Sequence, residues 1–96
     1  MIVSFGDGAT EDLYHGRATG RMRRFHPDLR RAAVRKLDML DAAHRLEDLQ
    51  APPGNRLEAL RGDRRCTHSI RVTGQWRLVF RWTASGPTQV TLLDYH

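Results

Sequence analysis

The spacing of apolar residues changes period once along this chain, and the change comes at Ala51-Pro52-Pro53-Gly54-Asn55. Before it, Leu29, Ala33, Leu37 and Leu40 recur at helical spacing. Ala32, Ala43 and Leu46 widen that stripe, while Arg30, Arg31, Arg35 and Lys36 fall mostly away from it. After it, Trp76, Leu78, Phe80 and Trp82 alternate with Arg77, Val79 and Arg81, the period of a strand. A helical stripe and a strand face bury each other only as two layers. The expected fold is therefore α+β, with N-terminal helices on the aromatic face of a small, mainly antiparallel sheet. With 96 residues there is chain for one domain, residues 1–96, and one two-layer core.

Local signals divide the layers further. Ile2 to Phe5 reads as a short strand, and "GDGATEDLYHG" as a turn followed by a helix with Thr10 as its N-cap. Gly16 and Gly20 end or interrupt that helix. Pro27 suits the first position of the second helix. Beyond the break, "NRLEALR" is a possible short strand and "CTHSIRV" alternates. "TGQ" and "TASGPT" are turns, and "QVTLLDYH" closes the sheet.

Sixteen Lys and Arg against eleven Asp and Glu give a net charge of +5, and fifteen of the sixteen cations are Arg. A small basic domain points to a polyanionic partner, nucleic acid before a membrane surface. The arginine excess reads either as codon bias or as guanidinium forks suited to phosphate. If the aromatic face of the sheet is covered, Arg77 and Arg81, joined by Arg71, line the other face. That face is either a solvated exterior or a cradle for a nucleic-acid backbone. No apolar run approaches the ~20 residues of a membrane span, and the N-terminus lacks the pattern of a signal peptide. A lone Cys66 fits a reducing cytoplasm and a small buried hydrophobe.

No metal-ligand cluster, Walker-type loop or specific Ser-His-Asp spacing stands out, so no metal or cofactor is expected. Proton carriers do gather near the strand ends: Glu58, Asp94, Tyr95, His96 and, less clearly, His68, which sits mid-strand and could face either layer. Metal-free cleavage of RNA needs a base for the 2′-hydroxyl, an acid for the leaving 5′-oxygen and cations at phosphorus. His96 titrates in the range that serves either proton transfer, or is an exposed terminal histidine without a role. Alternation puts Asp94 and His96 on one side of the last strand and Tyr95 on the other. His15, His26 and His44 read as surface or helix-entry residues.

The combination "PPGNRLEALRGDR", "SIRVTGQWRLVFRW" and terminal "DYH", with the opening "IVSF…TEDLYHG", resembles the HigB toxins of the RelE/ParE-like superfamily over essentially the whole chain. The resemblance implies two N-terminal helices on a small antiparallel sheet. It also implies ribosome-dependent, metal-independent cleavage of mRNA at the decoding site. The partners it implies are the ribosome, mRNA and a HigA-type helix-turn-helix antitoxin, through which alone DNA would be engaged. Arg77 after Trp76 matches the family's catalytic arginine. Asp94, Tyr95 and His96 match its C-terminal functional residues, and Arg61 matches a basic position before Gly62-Asp63. Some members carry a histidine three residues before that basic position, where this chain has Glu58. The base is thus open among Glu58, Asp94 and His96. Arg23 and Arg24, in the "RMRRF" run, form either a solvated face or a contact for ribosomal RNA. Two other functions fit the same superfamily: a ParE-like DNA gyrase poison, which needs no proton-transfer residues, and a non-catalytic RNA-binding module.

Overall fold

The computed structural model describes residues 1–60 and 67–95, so the expectations attached to Arg61, Cys66 and His96 lie outside it. Three α-helices precede the sheet: α1 (Gly8–His15), the single turn α2 (Gly20–Arg23) and α3 (Pro27–Ala42). The extra turn arises because the Thr19 side chain accepts from the Met22 backbone N–H at 3.3 Å and starts a helix between the two expected ones. Pro27 opens α3 as its spacing predicts.

Thr10 is not the N-cap of α1. Asp7 is, with its carboxylate accepting from the Thr10 N–H at 2.9 Å from an extended backbone, φ −148°. Thr10 is instead fully buried, and its Oγ1 accepts from the Leu92 N–H at 2.9 Å. A residue that looks like a helix start therefore ties α1 to the last strand. The expected Ile2–Phe5 strand also shrinks. Only Phe5 bridges, parallel to Val90, although this segment exchanges backbone hydrogen bonds with Pro87 and Val90.

The strands are β1 (Glu58–Ala59), β2 (Thr67–Thr73), β3 (Trp76–Thr83) and β4 (Gly86–Asp94), in the order β1-β2-β3-β4, with every pair antiparallel. The architecture is α+β, as the change of period predicts. Leu29, Ala33, Leu37 and Leu40 of α3 meet Ile70, Leu78, Phe80, Val90 and Leu92 of the sheet in one buried cluster. Trp76 and Trp82 are half-buried at its margins, and Trp76 meets Phe25 edge-on at 5.7 Å. Among the described residues no helix is long and apolar enough to cross a membrane.

Two buried polar residues lock the connections. Asn55 is fully buried, and its amide nitrogen faces the Leu49 and Ala51 carbonyls at 3.2 and 3.3 Å while its oxygen accepts from Lys36 Nζ of α3. Asp12, 1% exposed, accepts from Arg21 Nε at 2.5 Å and Thr19 Oγ1 at 2.9 Å, with Arg17 Nη1 at 3.5 Å. The Arg21 hydrogen bond holds its carboxyl below the ordinary value of 3.8, against the opposing effect of burial. A carboxyl with a depressed folded-state pKa stabilises the fold above its unfolded value, and that contribution disappears as pH falls through the folded value. Asp12→Asn is therefore expected to lower the melting temperature at pH 7. Its deficit relative to wild type should shrink as the pH is taken below 3.8, read from melts across a pH series. Leu37→Ala, at a site with 0% exposure, is expected to cost ~2–5 kcal/mol in chemical denaturation.

Candidate active site on the outer face of the sheet

Register fixes which side chains share the uncovered face. Arg71 stands opposite Arg77, Ser69 opposite Val79, and Thr67 opposite Arg81, while Glu58 stands opposite Ser69 and Leu93 opposite Arg77. Residues directly opposite in an antiparallel pair project to the same side. Glu58, Ser69, Arg71, Arg77, Val79, Arg81 and Leu93 thus form one surface, as alternation along β3 predicts.

Arg77 is its most constrained member, with a side chain only 11% exposed. Its Nε donates to Ser69 Oγ at 2.8 Å, and its Nη2 donates to the Arg56 carbonyl at 2.6 Å and the Ser69 carbonyl at 3.2 Å. Glu58 Oε2 lies 4.0 Å from the same Nη2. Arg56 carries a left-handed φ of 46°, rare for a side-chain-bearing residue, at the point where its carbonyl meets the guanidinium. Three acceptors thus hold one cation, and its Nη1 has no partner among the described residues. The Glu58 carboxylate is 60% exposed, so its pairing with Arg77 adds little stability but puts a proton acceptor beside a fixed cation.

Tyr95 meets this surface at one corner. The Tyr95 N–H donates to the Gln75 carbonyl at 2.8 Å, which carries the ladder past β4, and the residue is 39% exposed. Following Leu93 by two, Tyr95 falls on the Arg77 side. Asp94 stands opposite Trp76 and so takes the other side. The structure thus brings Glu58 and Arg77 together, sets Tyr95 at the same end, and turns Asp94 toward the helical layer. His96 and Arg61 lie outside the described residues.

The remaining candidates divide by layer. Arg71 and Arg81 share the Arg77 face; Arg81 is exposed and Arg71 half-buried. Arg23 and Arg24 are exposed in the helical layer, beside the Phe25 that packs on Trp76, at the same end of the molecule but not on the same face. His68 pairs with Phe80 on the covered side, its ring stacked at 6.4 Å, away from the arginines. Among the described residues no three His, Cys, Asp or Glu gather as metal ligands.

Ser69 and Arg56 were not singled out from the sequence, yet they set the direction of Arg77. The available signal was a small polar residue alternating onto the arginine face; the role of the Arg56 carbonyl depends on a backbone turn that no side chain announces. Ser69→Ala leaves the Arg77 Nε–H without its acceptor in a largely buried position. It is expected to cost ~1–3 kcal/mol in denaturation, with Ser69→Thr recovering part of the loss.

Comparison with known proteins accords with this geometry. A family model described as the RelE-like toxin of the type II toxin-antitoxin system HigB matches residues 2–96. Toxin HigB-1 of Vibrio cholerae serotype O1 is 41% identical over 96 residues, covering 100% of this chain and 98% of that protein. An uncharacterized protein of Haemophilus influenzae is 40% identical over 55 residues, 57% of this chain and 54% of its own length. This chain belongs to the HigB-like toxin family, the RelE-like toxins of type II toxin–antitoxin systems, and its family membership implies an antitoxin as partner.

Proposed function

We propose that the protein is a ribosome-dependent, metal-independent endoribonuclease that cuts translated mRNA. The observation that carries this reading is Arg77, a guanidinium held by three acceptors beside the Glu58 carboxylate on an open, arginine-bearing sheet face. In the reaction the 2′-hydroxyl oxygen attacks the adjacent phosphorus and the P–O5′ bond breaks, leaving a 2′,3′-cyclic phosphate and a 5′-hydroxyl. The proton of the 2′-hydroxyl passes to a base, for which Glu58 is best placed beside Arg77; Asp94, which the register turns to the other side of the sheet, and His96 are the other two candidates from the sequence. The leaving 5′-oxygen takes a proton from the His96 imidazole. Arg77 neutralises charge gathering on the phosphoryl oxygens through donors oriented before the substrate arrives. The exposed Tyr95 ring offers a stacking surface for a base.

This equipment is sparse, and positioning of the mRNA by the ribosome supplies what the protein lacks. Arg61, Arg71 and Arg81 contact the mRNA backbone, and Arg23 and Arg24 contact ribosomal RNA from the helical layer. The antitoxin is of the helix-turn-helix HigA type and carries any contact with DNA. The site of action is the cytoplasm, where the translating ribosome is.

End-mapping of an mRNA in a reconstituted translation reaction tests the reading. Cuts are expected at the decoding site only when ribosomes are present. Arg77→Ala is expected to slow single-turnover cutting by ~10²–10³-fold, and His96→Ala to abolish it. Intact mRNA at protein levels that still arrest cells, together with DNA-damage signalling, would replace this reading with gyrase poisoning.

A further inference from the structure

The outer face extends beyond the Arg77 end into a groove of about 490 Å³ between the N-terminal segment and the strands. Val79 and Leu93 give it apolar surface, Arg81, Gln89 and Thr91 line its sides, and Gly6 forms part of one wall. Three departures from a regular ladder build it. The β3–β4 register shifts between Val79 and Arg81. Gln89 takes a left-handed φ of 54°. Gly6 lies so close that a Cβ there would sit 2.0 Å from Thr91 Oγ1 and 2.9 Å from the Gln89 carbonyl oxygen. A simple sheet edge needs none of these, and bulges and strained residues concentrate where a surface is shaped for a ligand.

The polar groups in the groove narrow the ligand. The backbones of Arg81 and Gln89 are engaged, by Thr88 Oγ1 at 3.1 Å and Ser4 Oγ at 3.0 Å, while neither side chain has a hydrogen-bond partner among the described residues. A cation, an amide with both donor and acceptor, and an apolar surface between them match a nucleotide: phosphate, base edge and base face. The groove is also continuous with the site already described. Leu93 is the strand partner of Arg77, and Arg81 lies four residues along β3, roughly 13 Å away on an extended strand. A peptide adding to the sheet would seek an unpaired edge, whereas this groove opens on a face.

We propose that the groove seats a nucleotide of single-stranded RNA flanking the one at Arg77, with Arg81 on its phosphate and the Gln89 amide on its base edge. The proposal deepens the ribonuclease reading and rests on it for the identity of the polymer. It makes Gln89 a determinant of base preference beside the cut.

The test uses the full chain, isotope-labelled, titrated with 2′-O-methylated tetraribonucleotides of the four bases, which bind without being cut. The amides of Val79, Thr91 and Leu93 are expected to shift on titration. Arg81→Ala, at an exposed side chain, is expected to weaken binding for every sequence by about tenfold and lower the salt slope by about one. Gln89→Gly, which suits a positive φ and so preserves the fold, is expected to erase the ranking among the four oligonucleotides. Shifts confined to the Arg77 end, an unchanged ranking in Gln89→Gly, or equal groove shifts from a polyphosphate of the same charge would each overturn the proposal. The ribosome assay separates the two readings. Groove binding without any mRNA cleavage overturns the nuclease and leaves the groove, whereas Arg77-dependent cleavage without groove shifts does the reverse.

Discussion

Burial of one face of the sheet under α3 settles what the other face presents. Leu37, Leu40, Leu78 and Ile70 have 0% exposure and Phe80 has 1%, so this seam admits no slippage. Because strand side chains alternate strictly, a register shift of one residue would expose Phe80 and drive Arg77 and Arg81 into the core, where an unpaired cation costs several kcal/mol. The same apolar packing that stabilises the fold thus keeps Arg71, Arg77 and Arg81 outside and aligned. The arginine face is a consequence of the core as much as a feature of the surface.

Alignment alone would leave Arg71 and Arg77 directly opposite each other, an unfavourable pair on adjacent strands. Arg77 escapes by bending toward β1, where the Ser69 hydroxyl, two carbonyls and Glu58 meet it. One of those carbonyls belongs to Arg56, whose left-handed turn follows directly after buried Asn55, itself held by Lys36 of α3. A continuous line of hydrogen bonds and peptide units thus runs from the helical layer to the guanidinium. Preorganisation of this kind fixes the donor's direction during folding, so no reorganisation is required when charge develops on a substrate.

What could be read from the sequence follows from what depends on periodicity. The α+β class, the helix opening at Pro27, both hairpin turns and the sharing of a face by Arg77 and Arg81 all rest on spacing, and all appear in the structure. Features that depend on competition between neighbours are less legible. Asp7 and Thr10 both suit an N-cap, and the carboxylate takes the position because Thr10 is drawn inside to satisfy Leu92. The Ile2–Phe5 segment is apolar enough for a strand, but its hydrogen bonds with Pro87 and Val90 amount to a single bridge. Asp94 stands opposite Trp76, on the covered side, as alternation requires. The Arg56 carbonyl and the groove are illegible for another reason: each depends on register shifts or positive φ values, which residue type announces only weakly, whereas Ser69 depends on which residues pair across β1, β2 and β3.

The distribution of charge explains why shape must supply selectivity here. Arg23 and Arg24 are exposed in the helical layer, while Arg81 is exposed on the far side of the sheet, so exposed cations stand on both layers. A net charge of +5 accelerates encounter with any polyanion, yet it does not by itself choose an orientation. The outer face differs from the helical one in how its cations are held. Arg77 is largely buried and directed by three acceptors, and beside it a groove has been formed at the expense of regular pairing. On the proposed reading, the diffuse arginines would draw the protein to an anionic surface, and the fixed one would select which phosphate is met and from which side. That division assigns attraction to the many cations and geometry to the few.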